Sequence, residues 1–310
     1  MANFEVLGVD QREAPGAGRR SRGVPFVRDL VTLTKPRITA LVLLTEAAGM
    51  CLAPGRVPAR MLLLSLVGTA LIVGSANSLN MWWERDVDAR MDRTRDRPLP
   101  AGRMSPDVAL AFGLALALVS VPMLFAVNPA TGLLGLVALV SYVAIYTPLK
   151  RHTYLALLVG AVPGAIPPLL GWSTATGAVG LGGLLLFAVL FLWQVPHFAA
   201  ISIFRAEEYA RAGLRVVSVQ CGHAAARRMV ARYAVVLAGA SLLFLPLGLA
   251  GVRYTAIAAA LAVAFLSLAL RGFWPAAGGS GRRWAKHVFA ASIPYLTLLI
   301  AALLTDRTGR

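Results

Sequence analysis

Five of the chain's 14 acidic residues, Glu84, Asp86, Asp88, Asp92 and Asp96, crowd into one short stretch. Asn80 stands four residues before the first of them. An α-helix turns once every 3.6 residues, so Asn80, Glu84, Asp88 and Asp92 would share one slowly drifting stripe, with Asp86 on the opposite side. Amide and carboxylate oxygens are hard donors. Such a set suits Mg²⁺, which is commonly held by one or two carboxylates together with the phosphates of a substrate. Arg93, Arg97 and Arg103 come soon after and suit phosphate oxygens. The plain alternative is a solvated helix end whose alternating charges pair among themselves. Asn80 weighs against it, because it lies within an apolar segment, where a polar side chain usually has a partner.

A second acidic pair, Glu207 and Glu208, holds the only acids between Asp107 and Asp306. Two acidic clusters on one side of a helix bundle can clamp one polar ligand between them. Alone, the pair reads equally well as an exposed helix start.

The elements that position these groups are apolar. The chain has 310 residues, of which 58% are hydrophobic and 14% charged, with a mean hydropathy of +0.70. Soluble domains carry about 25% charged residues, so the solvent for much of this surface is lipid. Nine apolar segments can be drawn, near 38–54, 61–83, 107–127, 130–147, 155–174, 180–204, 229–250, 252–271 and 287–305. Residues 1–28 are polar and rich in Arg, Gly and Pro, which predicts a disordered tail ahead of a membrane domain over 29–310. With the N-terminus in the cytoplasm, 25 of the 30 Lys and Arg residues fall on the cytoplasmic side and 5 outside. That asymmetry is the positive-inside pattern. It accounts for the net charge of +16 without a nucleic-acid partner and puts both acidic clusters on the cytoplasmic face. Cys51 and Cys221 show no paired spacing. Trp82, Trp83, Trp172, Trp193 and Trp274 serve equally as interfacial anchors or pocket linings.

With these residues in place, the chain resembles the UbiA superfamily of intramembrane prenyltransferases. The first motif stands as Asn80, Glu84, Asp88, then Met91, Arg93, Thr94, Arg97 and Pro98. Four further stretches fit the haem-modifying subgroup of that family: LTKPRIT (33–39), YTPLKRHT (146–153), PGAIPPLLGW (163–172) and WQVPHF (193–198). The last two are the more specific. Glu84 replaces a more usual Asp, Glu208 stands where the second motif has Asp, and Leu214 to Ser218 replace a Pro-Met-Leu-Pro type stretch.

The resemblance implies nine transmembrane helices around a central cavity and a bacterial inner membrane location. It implies transfer of a farnesyl group from farnesyl diphosphate to a vinyl group of haem B, giving haem O. It assigns Asn80, Glu84 and Asp88 to catalysis and Mg²⁺ binding, with Glu208 as the ligand of the second cluster and Glu207 in reserve. Lys35, Arg37, Arg93, Arg97, Lys150 and Arg151 become candidates for diphosphate contact. His197, beside Pro196 in an apolar segment where an unpaired imidazole is costly, is a candidate haem ligand, propionate donor or base. A haem A synthase or a terminal oxidase is the implied assembly partner. Two other readings stay open: a UbiA-type enzyme with an aromatic or quinone-precursor acceptor, and a secondary transporter, which midplane polar residues and broken helices would favour. Glu46, in the middle of the first apolar segment, fits no motif.

Overall fold

The computed structural model describes residues 23–273 and 281–306. The expected tail therefore lies outside the described residues up to position 22, as does Trp274. From Gly23 the chain is already helix. Helix α1, Gly23–Leu33, is amphipathic: Leu30 and the fully buried Leu33 pack against Met81, Leu99 and Met104. That apolar spacing was hidden in the sequence by the adjoining Arg- and Gly-rich run.

The remaining elements are α2 (Pro36–Leu52), α3 (Ala59–Asp88), α4 (Pro106–Val127), α5 (Pro129–Leu149), α6 (Ala156–Thr176), α7 (Leu181–Phe204), α8 (Ala206–Arg211), α9 (Val217–Gln220), α10 (Gly222–Leu242), α11 (Val252–Leu270) and α12 (Arg282–Thr305). Each of the nine apolar segments contains a helix, although the one drawn near 229–250 leaves helix after Leu242. Among the described residues seven helices are long and apolar enough to cross a membrane: α3 to α7, α11 with its closing 3₁₀ turn, and α12. The expected count of nine spans is not met on those terms. At 17 residues α2 is short, and α10 carries Arg227, Arg228 and Arg232 in its first half.

Chain order largely sets the packing. α3 lies along α4, α2 against α6, α6 against α7, and α7 against α10 and α12. Ser105 and Asn128 cap α4 and α5, accepting from Val108 N at 3.3 Å and Thr131 N at 2.8 Å. The α2–α6 contact is backbone on backbone. A methyl group on Gly49 would sit 2.1 Å from the Pro168 carbonyl oxygen, and one on Gly171 would sit 2.0 Å from the Glu46 carbonyl oxygen. Close approach through small residues is how helices associate where lipid removes the hydrophobic drive. Trp172 then covers Gly180, Gly182 and Gly183. The PPLLGW stretch is thus buried packing between α2, α6 and α7. An apolar cleft lined by Thr45, Gly49, Pro168, Tyr254 and Leu299 opens beside this contact.

Two departures from regular helix matter. Residues Ser141–Tyr146 of α5 form a π stretch, a form found mostly as short insertions at functional sites. Lys35, between α1 and α2, adopts φ 49° and ψ 66°. It is the only non-glycine residue with positive φ among those described, and such strain persists only where the surroundings enforce it.

Candidate active site

The last three turns of α3 carry the stripe. Asn80, Glu84 and Asp88 are all buried, with 3%, 6% and 4% exposure, whereas Asp86 is exposed. The helix ends at Asp88, so Asp92 does not continue the stripe as its spacing predicted. Asp92 is exposed and meets Arg211 at 3.1 Å.

Each buried carboxylate faces a cation. Lys150 Nζ, just past the end of α5, donates to Glu84 Oε2 at 2.7 Å and lies equally close to Oε1. Arg97 donates to Asp88 Oδ2 at 2.6 Å. Asn80 Nδ2 donates to Glu84 Oε2 at 2.9 Å and to Thr147 Oγ1 at 3.1 Å. Thr147 in turn donates to the Tyr142 carbonyl inside the π stretch at 2.8 Å. Adding one residue to a turn rotates the rest of the helix about its axis. Thr147 and Lys150 thereby come to face α3, and Tyr146 lies under the Lys150 ammonium, 4.7 Å from its ring centre. Thr94 Oγ1 closes the loop after α3 by donating to the Asp88 carbonyl at 2.8 Å.

Lys35 belongs to the same group. Arg97, Lys150, Asp88 and Glu84 all act on it electrostatically. Burial above all, then the two neighbouring cations, lower its ammonium pKa from 10.5 to about 7. The second acidic loop is alongside. Glu208 is mostly buried and accepts from Arg205 at 2.8 Å, while Glu207 is exposed. Tyr209 packs against Val87 and Met91 of the first loop and lies within the electrostatic reach of Arg93 and Lys150. Burial raises its phenol pKa.

Of the other sequence candidates, Arg93 is exposed but near Tyr209, and Arg151 is half-buried with its Nε lacking a hydrogen-bond partner. Arg37 is exposed at the start of α2, turned out from the group. Arg103 is committed to Asp29 of α1 at 3.2 Å. His197 sits in a different place, at the α7–α12 contact. Its Nδ1 is 2.7 Å from Ser292 Oγ, and the ring stacks on Trp193 and Phe289 at 4.8 and 4.7 Å. These contacts satisfy it structurally and tie it to α12 instead of to the acidic stripe. Trp83 is 40% exposed, as an interfacial anchor would be. Residues that the sequence did not single out are Thr147, Tyr146 and Tyr209. Only the YTPLKRHT stretch hinted at the first two.

The Leu214 to Ser218 stretch keeps the loop in place by other means. Leu214 is buried with Val87, Met91 and Ala212, Arg215 N donates to the Lys150 carbonyl at 3.1 Å, and Ser218 donates to the Ser202 carbonyl at 2.5 Å.

Among the described residues no three His, Cys, Asp or Glu side chains close into a preformed metal cage. The donors nevertheless fit a divalent cation bound together with a substrate. They are oxygens, and Glu208 Oε1 is buried without a hydrogen-bond partner.

The fold matches solved structures of prenyl-transferring membrane proteins. A digeranylgeranylglyceryl phosphate synthase superposes with TM-score 0.78 at 14% identity, covering 90% of this chain and 97% of that one. A UbiA homologue from Archaeoglobus fulgidus, solved with DMAPP and Mg²⁺, gives 0.66 at 17% identity, covering 89% and 99%. In sequence, residues 42–293 match the UbiA prenyltransferase family, and the chain belongs to that family. It is therefore a multi-pass membrane enzyme. Curated relatives include the protoheme IX farnesyltransferases of Anaeromyxobacter sp. (strain Fw109-5), 51% identical over 93% of this chain and 96% of that protein, and Myxococcus xanthus (strain DK1622), 51% identical over 94% and 99%.

Proposed function

We propose that this chain transfers the farnesyl group of farnesyl diphosphate to a vinyl group of haem B, producing haem O. The observation that carries the prenyl-transfer chemistry is the buried stripe of Asn80, Glu84 and Asp88 faced by Lys150 and Arg97. The identity to protoheme IX farnesyltransferases over nearly the whole chain supports haem as the acceptor.

In the reaction the bond between farnesyl C1 and the diphosphate oxygen breaks, and both electrons leave with the diphosphate. The vinyl π electrons attack the allylic carbon. Water captures the cation formed on the haem side and loses a proton, leaving the hydroxyl. Lys150, Arg97 and Lys35 supply donors where negative charge builds on the leaving group, the effect that usually dominates such catalysis. Arg93 and Arg151 extend that basic rim. Asn80, Glu84, Asp88 and, from the second loop, Glu208 would hold Mg²⁺, which supplies Lewis-acid neutralisation of the diphosphate. Asn80 is a positioning residue for Glu84, and Thr147 fixes Asn80. The apolar wall of the bundle restricts water near the allylic carbon. His197, held by Ser292 and its aromatic neighbours, would bound the haem pocket from the α12 side. The charge asymmetry of the loops supports a bacterial cytoplasmic membrane setting with the N-terminus and active site toward the cytoplasm. A haem A synthase or a terminal oxidase would take up the product.

The test is haem extraction and chromatography from membranes of a bacterial host lacking its own haem O-forming enzyme. Wild type yields haem O, and Asp88→Ala yields none. An unchanged haem profile alongside a prenylated aromatic acid would replace haem with the aromatic acceptor.

A further inference from the structure

Far from the acidic stripe, α2 buries Glu46 completely, at 0% exposure. Ser65 and Asn80 lie fifteen residues apart on α3, so Glu46, which meets Ser65, is about 22 Å along the helix axis from the active site. Ser65 Oγ donates to Glu46 Oε1 at 2.6 Å and contacts Thr174 Oγ1 of α6 at 2.8 Å. Thr69, one turn on from Ser65, faces the same carboxyl. Behind them stand Thr131 of α5 and Ser173 of α6, 2.9 Å apart. Hydroxyls of α3 thus meet the carboxyl of α2, and those of α6 and α5 stand behind them.

The hydrogen-bond directions leave this group short of positive charge. Thr174 and Ser173 both donate away from it, to the Leu170 carbonyl at 2.9 Å each. Ser65 donates to the carboxyl at full hydrogen-bond geometry, and Thr69 stands close enough to act on it as a second donor. Glu46 Oε2 and Thr69 Oγ1 are both buried and both lack a hydrogen-bond partner. The ion pairs among the described residues include none to Glu46. A carboxyl buried in low dielectric either keeps its proton or has its charge compensated. One positive charge balances it. Two would leave a net charge in the membrane interior, where charge is costly.

We propose that Glu46, Ser65, Thr69 and Thr174 form a binding site for one small monovalent cation of the Na⁺ class. The carboxylate supplies the charge and the hydroxyls the remaining oxygens. Because its ligands come from α2, α3 and α6, an occupied site pins together the three helices whose other ends carry Lys35 and the acidic stripe. It lies apart from the Mg²⁺–diphosphate chemistry.

The full-length protein, purified in detergent, is unfolded thermally at fixed Mg²⁺ and fixed ionic strength in NaCl or choline chloride. Expected is a saturable rise of at least about 4 °C in the midpoint with Na⁺ over choline. The rise should be lost in Glu46→Gln and reduced in Thr69→Val. If Glu46→Gln does not fold, the wild-type titration and Thr69→Val still decide the matter. Equal wild-type midpoints in the two salts overturn the proposal and leave the carboxyl carrying a proton. A Na⁺ effect that persists undiminished in Glu46→Gln or Thr69→Val overturns it as well, by placing the cation elsewhere.

Discussion

Two of the buried carboxylate environments among the described residues are stabilised in opposite ways. At the C-terminal end of α3, Glu84 and Asp88 meet Lys150 and Arg97 at 2.7 and 2.6 Å. Deep between α2, α3 and α6, Glu46 meets hydroxyl groups alone. The first set is made of full charges whose pairing can be exchanged: a diphosphate can take over the cations while a divalent metal takes over the carboxylates. The second is enclosed by short hydroxyl side chains, with no protein cation in the set to exchange. Reactivity belongs to the set with competing partners, and helix registration belongs to the other.

The largest effect should come from breaking the exchangeable set. Asp88→Ala should lower haem O formation by at least about 10³-fold, measured by haem chromatography, because it removes a carboxylate from the metal set and frees Arg97 to pair elsewhere. Gly171→Leu should come next. Its side chain would run into the Glu46 carbonyl, and little folded protein should be recovered on size-exclusion chromatography. Lys150→Ala should raise the KM for farnesyl diphosphate about 10- to 100-fold with the haem KM unchanged, since it leaves Glu84 uncompensated and removes a phosphate donor. The smallest effect concerns Lys35, with its pKa lowered to about 7. Below pH 7 it is cationic and aids diphosphate binding, and above pH 7 the charge is lost. Affinity for farnesyl diphosphate should therefore fall as pH rises through 7, and Lys35→Arg, always protonated, should flatten that profile. The linked effect on stability has the opposite sign. The unfolded chain binds the extra proton between pH 7 and 10.5, so Lys35 favours the folded state increasingly as pH rises over that window.

The stripe was legible because helical spacing alone brings Asn80, Glu84 and Asp88 to one face, and charge counting put them at a cytoplasmic helix end. Apolar runs likewise located every long helix. What escaped were contacts made over long sequence distances. Thr147, 67 residues from Asn80, looks like any other threonine until the π stretch turns it inward. PPLLGW was legible as a motif but not as the place where α6 touches α2, because a glycine says nothing about which carbonyl will approach it. Arg103 resembled its neighbours in sequence, yet α1 supplied Asp29 to hold it. Glu46 had no local partner to betray its role, since its hydroxyls arrive from α3 and α6.

The contact through Gly49 and Gly171 has a mechanical consequence. Two surfaces that meet carbonyl to α-carbon have no side chains to yield between them, so α2 and α6 move as one strut. Lys35 rides on the end of that strut. Any opening on the α2 side of the bundle must carry α6 along, and with it the basic loop that precedes α6.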